Sequence, residues 1–470
     1  MNQAWSIPVL AAGRKRWSRI AADRGIVIRF HSHLRQASQR RCRIIRQIYV
    51  NSTLIKSLLS QLIHLCTFRM CRKLRMIDRP GGIRHRIPMS QGFQMRRLSL
   101  ISLIVLAFAW APAQAQRPAP GCKAPTVVCQ ASARVFAISS FDAVGTAVLI
   151  EPGLLVTNRH VVADNPRAQL FMSDGSQRIA DVVPTSYPGD LVLLRLDGLV
   201  VQQPLTLGTA EVDQQVYVVG ADVGRGAIRA YLPGRVVAVP PADKPLARVH
   251  HSARSQPGNS GGALFARDGS LVAIVASGGE GRNEAIPIAE IAKLKTQSGP
   301  DQALPSARIG LAYRKCSEAL ETVRGGNQRM APSNVDFLHK QCLATGNRQL
   351  YDDAGRTLGR QQFLDQALDL FGKSLEQDPN GLNTRLSMAI TLHVAQRYED
   401  EIPHLKALIE ALPTDPQILR LAIQAGKWGG DDILAQKAYA LLLKHHPQLK
   451  PVAERFMQQP PPPRRIGVPK

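Results

Sequence analysis

The hydrophobic period of the chain changes once, near residue 300, and that change limits what it can fold into. From about 131 to 282 the apolar residues come in short runs: "AVGTAVLI", "LLVTNRHVV", "LVLLRL", "QQVYVVG", "RVVAV" and "LVAIVAS". Glycine, proline and aspartate punctuate them, as in the turn "EPG" at 151–153. Many short runs at roughly regular spacing predict an all-β sandwich or barrel. "ALFARDGSLVAIVAS" reads as a hairpin turning at Asp268-Gly269. "IPIAEIAKLKTQ" reads as a closing strand end followed by a helix. Beyond about 300 the apolar residues recur at helical spacing. The 470 residues are therefore expected to form an all-β domain over 131–299 and an all-α region after it.

The helical region carries a fixed repeat. Pro379, Pro413 and Pro447 stand 34 residues apart, each after an amphipathic run: "FLDQALDLFGKSL", "EIPHLKALIEAL" and "LAQKAYALLLKHH". A 34-residue helix-turn-helix period resembles tetratricopeptide repeats. The units would be 348–381, 382–415 and 416–449, a repeat domain over 348–450. Ala367, Phe371, Ala389, Leu392, Ala435 and Tyr439 fall where such a repeat wants packing residues. Glu401 and Ile423 depart from it, standing where small residues are usual. The connector, 300–347, holds two expected helices, "ARIGLAYRKCSEALETV" and "SNVDFLHKQCLATG", the second opening at Ser333. A proline-rich tail is expected over 451–470, where "PPPPRR" cannot pack as a helix and is expected to be disordered.

The charge is uneven. The whole chain carries +25, but residues 1–94 hold 19 Lys and Arg against only Asp23 and Asp78. From 116 onward 39 basic residues face 33 acidic ones, too mild an excess to indicate a nucleic-acid partner. At 95 begins "MRRLSLISLIVLAFAWAPAQAQ": a methionine, two arginines, an apolar run and a small-residue "AQA" site. That is the layout of a secretory signal peptide, 95–115, with cleavage after Ala115. It implies periplasmic or secreted export, with 1–94 a mis-assigned upstream extension or a disordered basic segment. The apolar run Leu98 to Trp110 is short for a membrane span, which needs about 20 residues. A linker, 116–130, follows. Cys122, Cys129, Cys316 and Cys342 are the cysteines after the signal. An even number in an exported chain predicts disulfides. Local pairing is one of three connectivities, and a Cys316–Cys342 staple is expected to join the connector helices.

The chemistry centres on "SQPGNSGGALF", 255–265, where Ser260 lies among Gly258, Gly261 and Gly262. A serine hydroxyl needs a base to take its proton and a third group to orient that base. "VTNRHVV" places His160 just beyond one apolar run, and "PGDLVLLRLDG" places Asp190 just before another. The chain order His, Asp, Ser differs from that of the α/β-hydrolases and the subtilisins. It matches a chymotrypsin-like double β-barrel.

"GTAVLI", "LLVTNRHVV", "GDLVLLRL" and "QPGNSGGALF" together resemble the trypsin-like serine peptidases, most of all the bacterial HtrA/Deg type. The resemblance implies His160 as general base, Asp190 as its orienting partner and Ser260 as nucleophile. It implies an oxyanion hole from the N–H groups of Gly258 and Ser260, and a substrate-binding strand edge at Ser277, Gly278 and Gly279. No metal or cofactor is needed for this chemistry. The expected partners are a polypeptide substrate and a protein segment at the repeats, with no nucleic acid and no membrane span after signal cleavage. The competing expectation is an inactive protease-like adaptor. Where the HtrA/Deg type has a PDZ-like domain, this chain has the helical repeat. Arg254, six residues before Ser260, would favour acidic substrates if buried near the specificity pocket, and would do nothing of the kind if it pointed outward.

Overall fold

A computed structural model describes residues 122–463, apart from 203–204, 224–226, 280–281 and 325–328. The expected upstream extension (1–94), the signal peptide (95–115), the first part of the linker and the end of the tail lie outside the described residues. Among the described residues no helix is long and apolar enough to cross a membrane.

A short helix α1 (Thr126–Ala131) leads into six strands: β1 (Val135–Ser139), β2 (Gly145–Glu151), β3 (Leu154–Thr157), β4 (Arg167–Phe171), β5 (Gln177–Val183) and β6 (Val192–Arg195). The one-turn helix α2 (Arg159–Val162) follows β3. The strands close in the order β1-β2-β3-β6-β5-β4, every pair antiparallel. Gly153 takes φ +71° in the "EPG" turn between β2 and β3, a conformation glycine adopts without strain.

The second barrel uses β7 (Gln215–Asp222), β8 (Ala227–Ala230), β9 (Gly234–Ala238), β10 (Val249–His251), β11 (Ala263–Ala266), β12 (Leu271–Gly279) and β13 (Arg282–Pro287). The order is β11-β12-β13-β10-β9-β7, closed by β11 pairing with β7, and β8 flanks the end of β7. The Asp268-Gly269 hairpin forms, with Asp268 Oδ1 accepting from Ser270 N at 2.9 Å. The two barrels share one apolar core, in which Val148 and Val156 of the first meet Val219, Phe265 and Ile274 of the second. The fold is a chymotrypsin-like double β-barrel followed by a helical region.

After α3 (Glu290–Thr296) come α4 (Ala303–Arg324) and α5 (Pro332–Leu343). Pro332 opens α5 at its first turn, with no side-chain cap, so Ser333 lies inside the helix rather than capping it. Proline suits that place because its missing N–H would have no helical partner there. Cys316 and Cys342 are bonded to one another, as are Cys122 and Cys129. The helix α4 docks on the first barrel. Gly310 lets the helix come so near that an added Cβ would stand 2.5 Å from the Ala163 carbonyl.

Three helix pairs follow: α6 (Arg348–Arg360) with α7 (Leu364–Gln377), α8 (Leu382–Val394) with α9 (Tyr398–Ala411), and α10 (Pro416–Gly429) with α11 (Asp432–His445). Ala367, Phe371, Ala389, Leu392 and Ala435 are fully buried between them and Tyr439 is half-buried. Glu401, anomalous for its place in the repeat, is also buried, and His393 Nδ1 meets its carboxylate at 2.9 Å. The first part of the expected tail is helical, as α12 (Lys450–Gln458). The prolines beyond it are not helical, yet their described part is held: Trp428 Nε1 donates to Gln459 O at 2.9 Å, and Gln396 Nε2 to Pro462 O at 3.1 Å.

The bond between Cys316 and Cys342 spans 26 residues. In the chain-entropy model closing such a loop contributes about 3 kcal/mol. Replacing both cysteines by serine is expected to lower stability by about that amount in a denaturant titration, and non-reducing peptide mapping should find the two in one linked fragment.

Candidate active site

His160 stands in the one-turn helix α2, directly after β3. Asp190, in the loop before β6, is tied to that turn by both its carboxylate and its carbonyl. Asp190 Oδ1 accepts from His160 N at 3.0 Å, and Oδ2 lies 2.8 Å from His160 Nδ1. Its carbonyl accepts from Asn158 Nδ2 at 2.9 Å and from Arg159 N at 3.3 Å. The imidazole therefore has one orientation, with Nδ1 held toward the carboxylate.

Asp190 is 3% exposed. Burial opposes its ionisation, but His160 and Arg248 outweigh that and hold the carboxyl below the usual carboxylate range. Burial also opposes charging of His160. Asp190, with a smaller contribution from Asp142, overcomes it and raises the imidazole above its ordinary value.

Ser260 belongs to the loop between β10 and β11. Gly258 (φ +92°) and Gly261 (φ +81°) both take the left-handed conformation. The loop is pinned to the first barrel. Thr146 N donates to Ser260 O at 2.8 Å and Thr146 Oγ1 to Gly258 O at 2.6 Å, while Thr157 Oγ1 donates to Thr146 O at 2.7 Å. Thr157 is three residues before His160, so these bonds bring the serine loop and the histidine turn to one seam between the barrels. Asn259 is buried and donates to Ala221 O. Ser260 Oγ donates to Ala276 O at 3.2 Å. Among the described residues the N–H groups of Gly258 and Ser260 have no protein acceptor, whereas those of Asn259, Gly261 and Gly262 do.

Ser277, Gly278 and Gly279 lie at the end of β12. On one edge they pair with β13, at Glu284, Asn283 and Arg282. The pairing of β12 with β11 stops at Ile274, so among the described residues the other edge carries no strand there. Arg254 is exposed. It supplies no buried cation for an acidic side chain.

One charged residue went unnoticed in the sequence. Arg248, just before β10, is 3% exposed. Its Nη1 donates to Ser277 Oγ at 2.8 Å and to Glu284 Oε2 at 3.2 Å, and its Nη2 lies 3.8 Å from Asp190 Oδ2. A usable signal existed: "LARVHH" and "RNEAIPI" each set a charge inside an apolar strand, and two buried charges of opposite sign invite pairing.

Residues 145–274 match the model of the trypsin-like peptidase domain. The match runs from β2 into β12, so the two barrels are similar to a trypsin-like peptidase domain. A "Probable periplasmic serine endoprotease DegP-like" of Pseudomonas putida is 28% identical over 220 residues, 44% of this chain and 45% of that one. A "Serine protease Do-like HtrA" of Lactobacillus helveticus is 30% identical over 133 residues, 26% of this chain and 32% of that one. The chain thus spans less than half the length of these curated relatives. A solved structure, "HtrA-type protease AlgW with tripeptide", aligns with 26% identity and a TM-score of 0.32, covering 36% of this chain and 61% of that one. The barrels are thus similar to relatives named as serine proteases.

A test of the loop geometry follows. At Gly261 a Cβ would stand 2.1 Å from Thr146 O and 2.3 Å from Thr157 Oγ1, whereas at Gly175, with φ +82°, nothing lies within 4 Å. Gly175→Ala is expected to cost about 1 kcal/mol, the conformational term alone. Gly261→Ala should cost at least about 1 kcal/mol more, because backbone must move. Denaturant melts of both variants check this, and equal costs would contradict the packing described.

Proposed function

We propose that the chain is an exported serine endopeptidase, with His160, Asp190 and Ser260 as its triad and the helical region as a polypeptide-binding arm. The observation that carries the reading is the His160–Asp190 pair, locked by side-chain and main-chain bonds, at the seam where the Ser260 loop is pinned. In the reaction Ser260 Oγ attacks the substrate carbonyl carbon as His160 Nε2 takes its proton. Asp190 holds the tautomer and stabilises the imidazolium that forms. The N–H groups of Gly258 and Ser260 receive the developing oxyanion. His160 then gives its proton to the leaving amine, and water repeats the sequence on the acyl-enzyme. The unpaired edge at Ser277–Gly279 is suited to pairing with an extended substrate backbone.

The helical repeats resemble tetratricopeptide units, and a cavity of about 470 Å³ supports their binding role. Its wall is formed by Ser277 and Gly278 of β12, Asp352 and Arg356 of α6, Ser387 of α8 and Gln417 of α10. The cavity thus borders the strand end proposed to pair with substrate, and its polar lining suits a polypeptide. Export to the periplasm is supported by the signal-like segment and by relatives named periplasmic.

Ser260 Oγ is bonded to Ala276 O, an observation that favours a second reading, a protease-like fold that only binds. A fluorophosphonate probe separates the two: covalent labelling at Ser260, abolished by Ser260→Ala, is expected of the peptidase. Ser260→Ala and His160→Ala should each lower peptide cleavage by about 10³-fold or more with the fold intact. Cleavage near the wild-type rate in Ser260→Ala would sink the assignment.

A pH profile tests His160. The base acts neutral, and its folded pKa is raised. The acid limb of kcat/KM is therefore expected to have its midpoint above 6.5, with activity lost as pH falls through it. A limb centred near the carboxylate range would contradict His160 as the base.

A further inference from the structure

The seam between the second barrel and the helical region is charged, buried and continuous with Asp190. Glu284 Oε2, in β13, is shared by Arg248 Nη1 at 3.2 Å, Ser277 Oγ at 3.2 Å and Arg348 Nη1 at 3.0 Å. Arg348 is the first residue of α6. Its Nη1 also reaches Asp378 Oδ2 at 2.9 Å. Asp378, just beyond α7, accepts from the backbone N–H of Arg248 at 3.2 Å and meets His250 Nε2 at 2.9 Å. The charged side chains and His250 among these are nearly inaccessible to solvent. Arg248 is thus held from two directions by groups that Arg348 organises, and its other nitrogen is the one beside Asp190.

We propose that Arg348 is a positioning residue for the Asp190–His160 pair, acting through Glu284 and Arg248, so that docking of the helical repeats sets the geometry and basicity of the reaction centre. The proposal rests on the peptidase reading given above.

Four buried carboxylates, Asp190, Glu284, Asp378 and Asp352, share two guanidinium groups, Arg248 and Arg348, with His160 and His250 beside them. An unpaired buried charge is strongly unfavourable, so loss of one member forces the others to re-pair. Without Arg348, Glu284 keeps Arg248 as its one guanidinium partner and draws it away from Asp190. Without the Glu284 charge, Arg248 leans on Asp190 alone. Arginine suits both places because its planar fork spans two acceptors at once. The groups facing His160 are Asp190 before β6, Asp142 between β1 and β2, and Arg248 before β10. The carboxylates favour imidazolium and the guanidinium favours neutral imidazole. Moving Arg248 away from Asp190 therefore raises the pH at which His160 titrates, and moving it closer lowers that pH.

The test uses the full chain. His160 is titrated by NMR in a Ser260→Ala background, which needs no turnover, and kcat/KM is profiled with a peptide substrate in chains that keep Ser260. Arg348→Gln is expected to shift the His160 midpoint upward and Glu284→Gln to shift it downward, each by about half a pH unit. Both should lower kcat/KM by about 10-fold or more, and Arg348→Lys should recover much of the loss. A merely structural role would leave the midpoint unmoved or move both variants the same way, and either result overturns the proposal. Where Arg348→Gln does not fold, Glu284→Gln carries the test by itself, because it leaves Arg248–Asp190 and Arg348–Asp378 as one-to-one pairs. A midpoint that stays in place or rises in Glu284→Gln overturns the coupling. A wild-type chain that cleaves no peptide, with His160 shifting as expected, overturns the peptidase reading and leaves the electrostatic link standing.

Discussion

Arg248, Glu284, Arg348, Asp378 and Asp352 are buried together where the second barrel meets the helical region, beside Asp190, and the need to pair their charges constrains everything around them. Removing such ions from water costs several kcal/mol each unless partners are placed well. The pairing requires β10 and β13 to stay in register, with His250 opposite Glu284. It requires the start of α6 to sit over the barrel, where Arg348 meets both Glu284 and Asp378. It also needs room. A Cβ at Gly381 would stand 2.7 Å from Arg348 Nη2, so the glycine that precedes α8 leaves space for that guanidinium. Glu284 is held down to about 2, since Arg348, His250 and Arg248 overcome the penalty of burial. Glu284 therefore stays ionised near neutrality.

The same seam connects to the proposed chemistry from a second side. Arg159, buried beside His160, donates to Ser306 Oγ of α4 at 3.2 Å and to Thr185 O at 3.1 Å. Arg314 of α4 meets Asp164 at 2.6 Å, just beyond α2. The histidine turn and the end of β12 are therefore both braced by helical elements that a barrel alone would lack. Within the barrels the bracing is of another kind. Gly261 has no room for a side chain between Thr146 and Thr157, and the loop carrying Ser260 is shaped by that close approach.

Much of this was legible in the residues. The turns at Gly153 and Asp268-Gly269, the β-like runs of 131–282 and the helical period after 300 are local patterns, and local patterns survive into the fold because each face must be buried. His160, Asp190 and Ser260 could be picked out because their types, order and glycine-rich setting are specific. Local chemistry misled at smaller scale. Ser333 looked like a cap, but Pro332 opens the helix. The residues from 451 looked like tail, yet Lys450–Gln458 is helical and packs Phe456 into the array. Arg254 could have pointed either way, and it faces solvent.

What the amino-acid sequence determined by itself was the division into β and α parts, the 34-residue rhythm of the helices and the three residues of the proposed triad. Each is written in spacing or in residue type within short stretches. The tertiary structure alone decided that Arg248, Glu284, Arg348 and Asp378 form one buried cluster beside Asp190. The bonded partners are 36, 64 and 130 residues apart, and arginine, glutamate and aspartate are ordinary residues with no periodic signature. Charge pairing depends on distance in space, and only the closing of the second barrel and the docking of α6 bring these groups within reach.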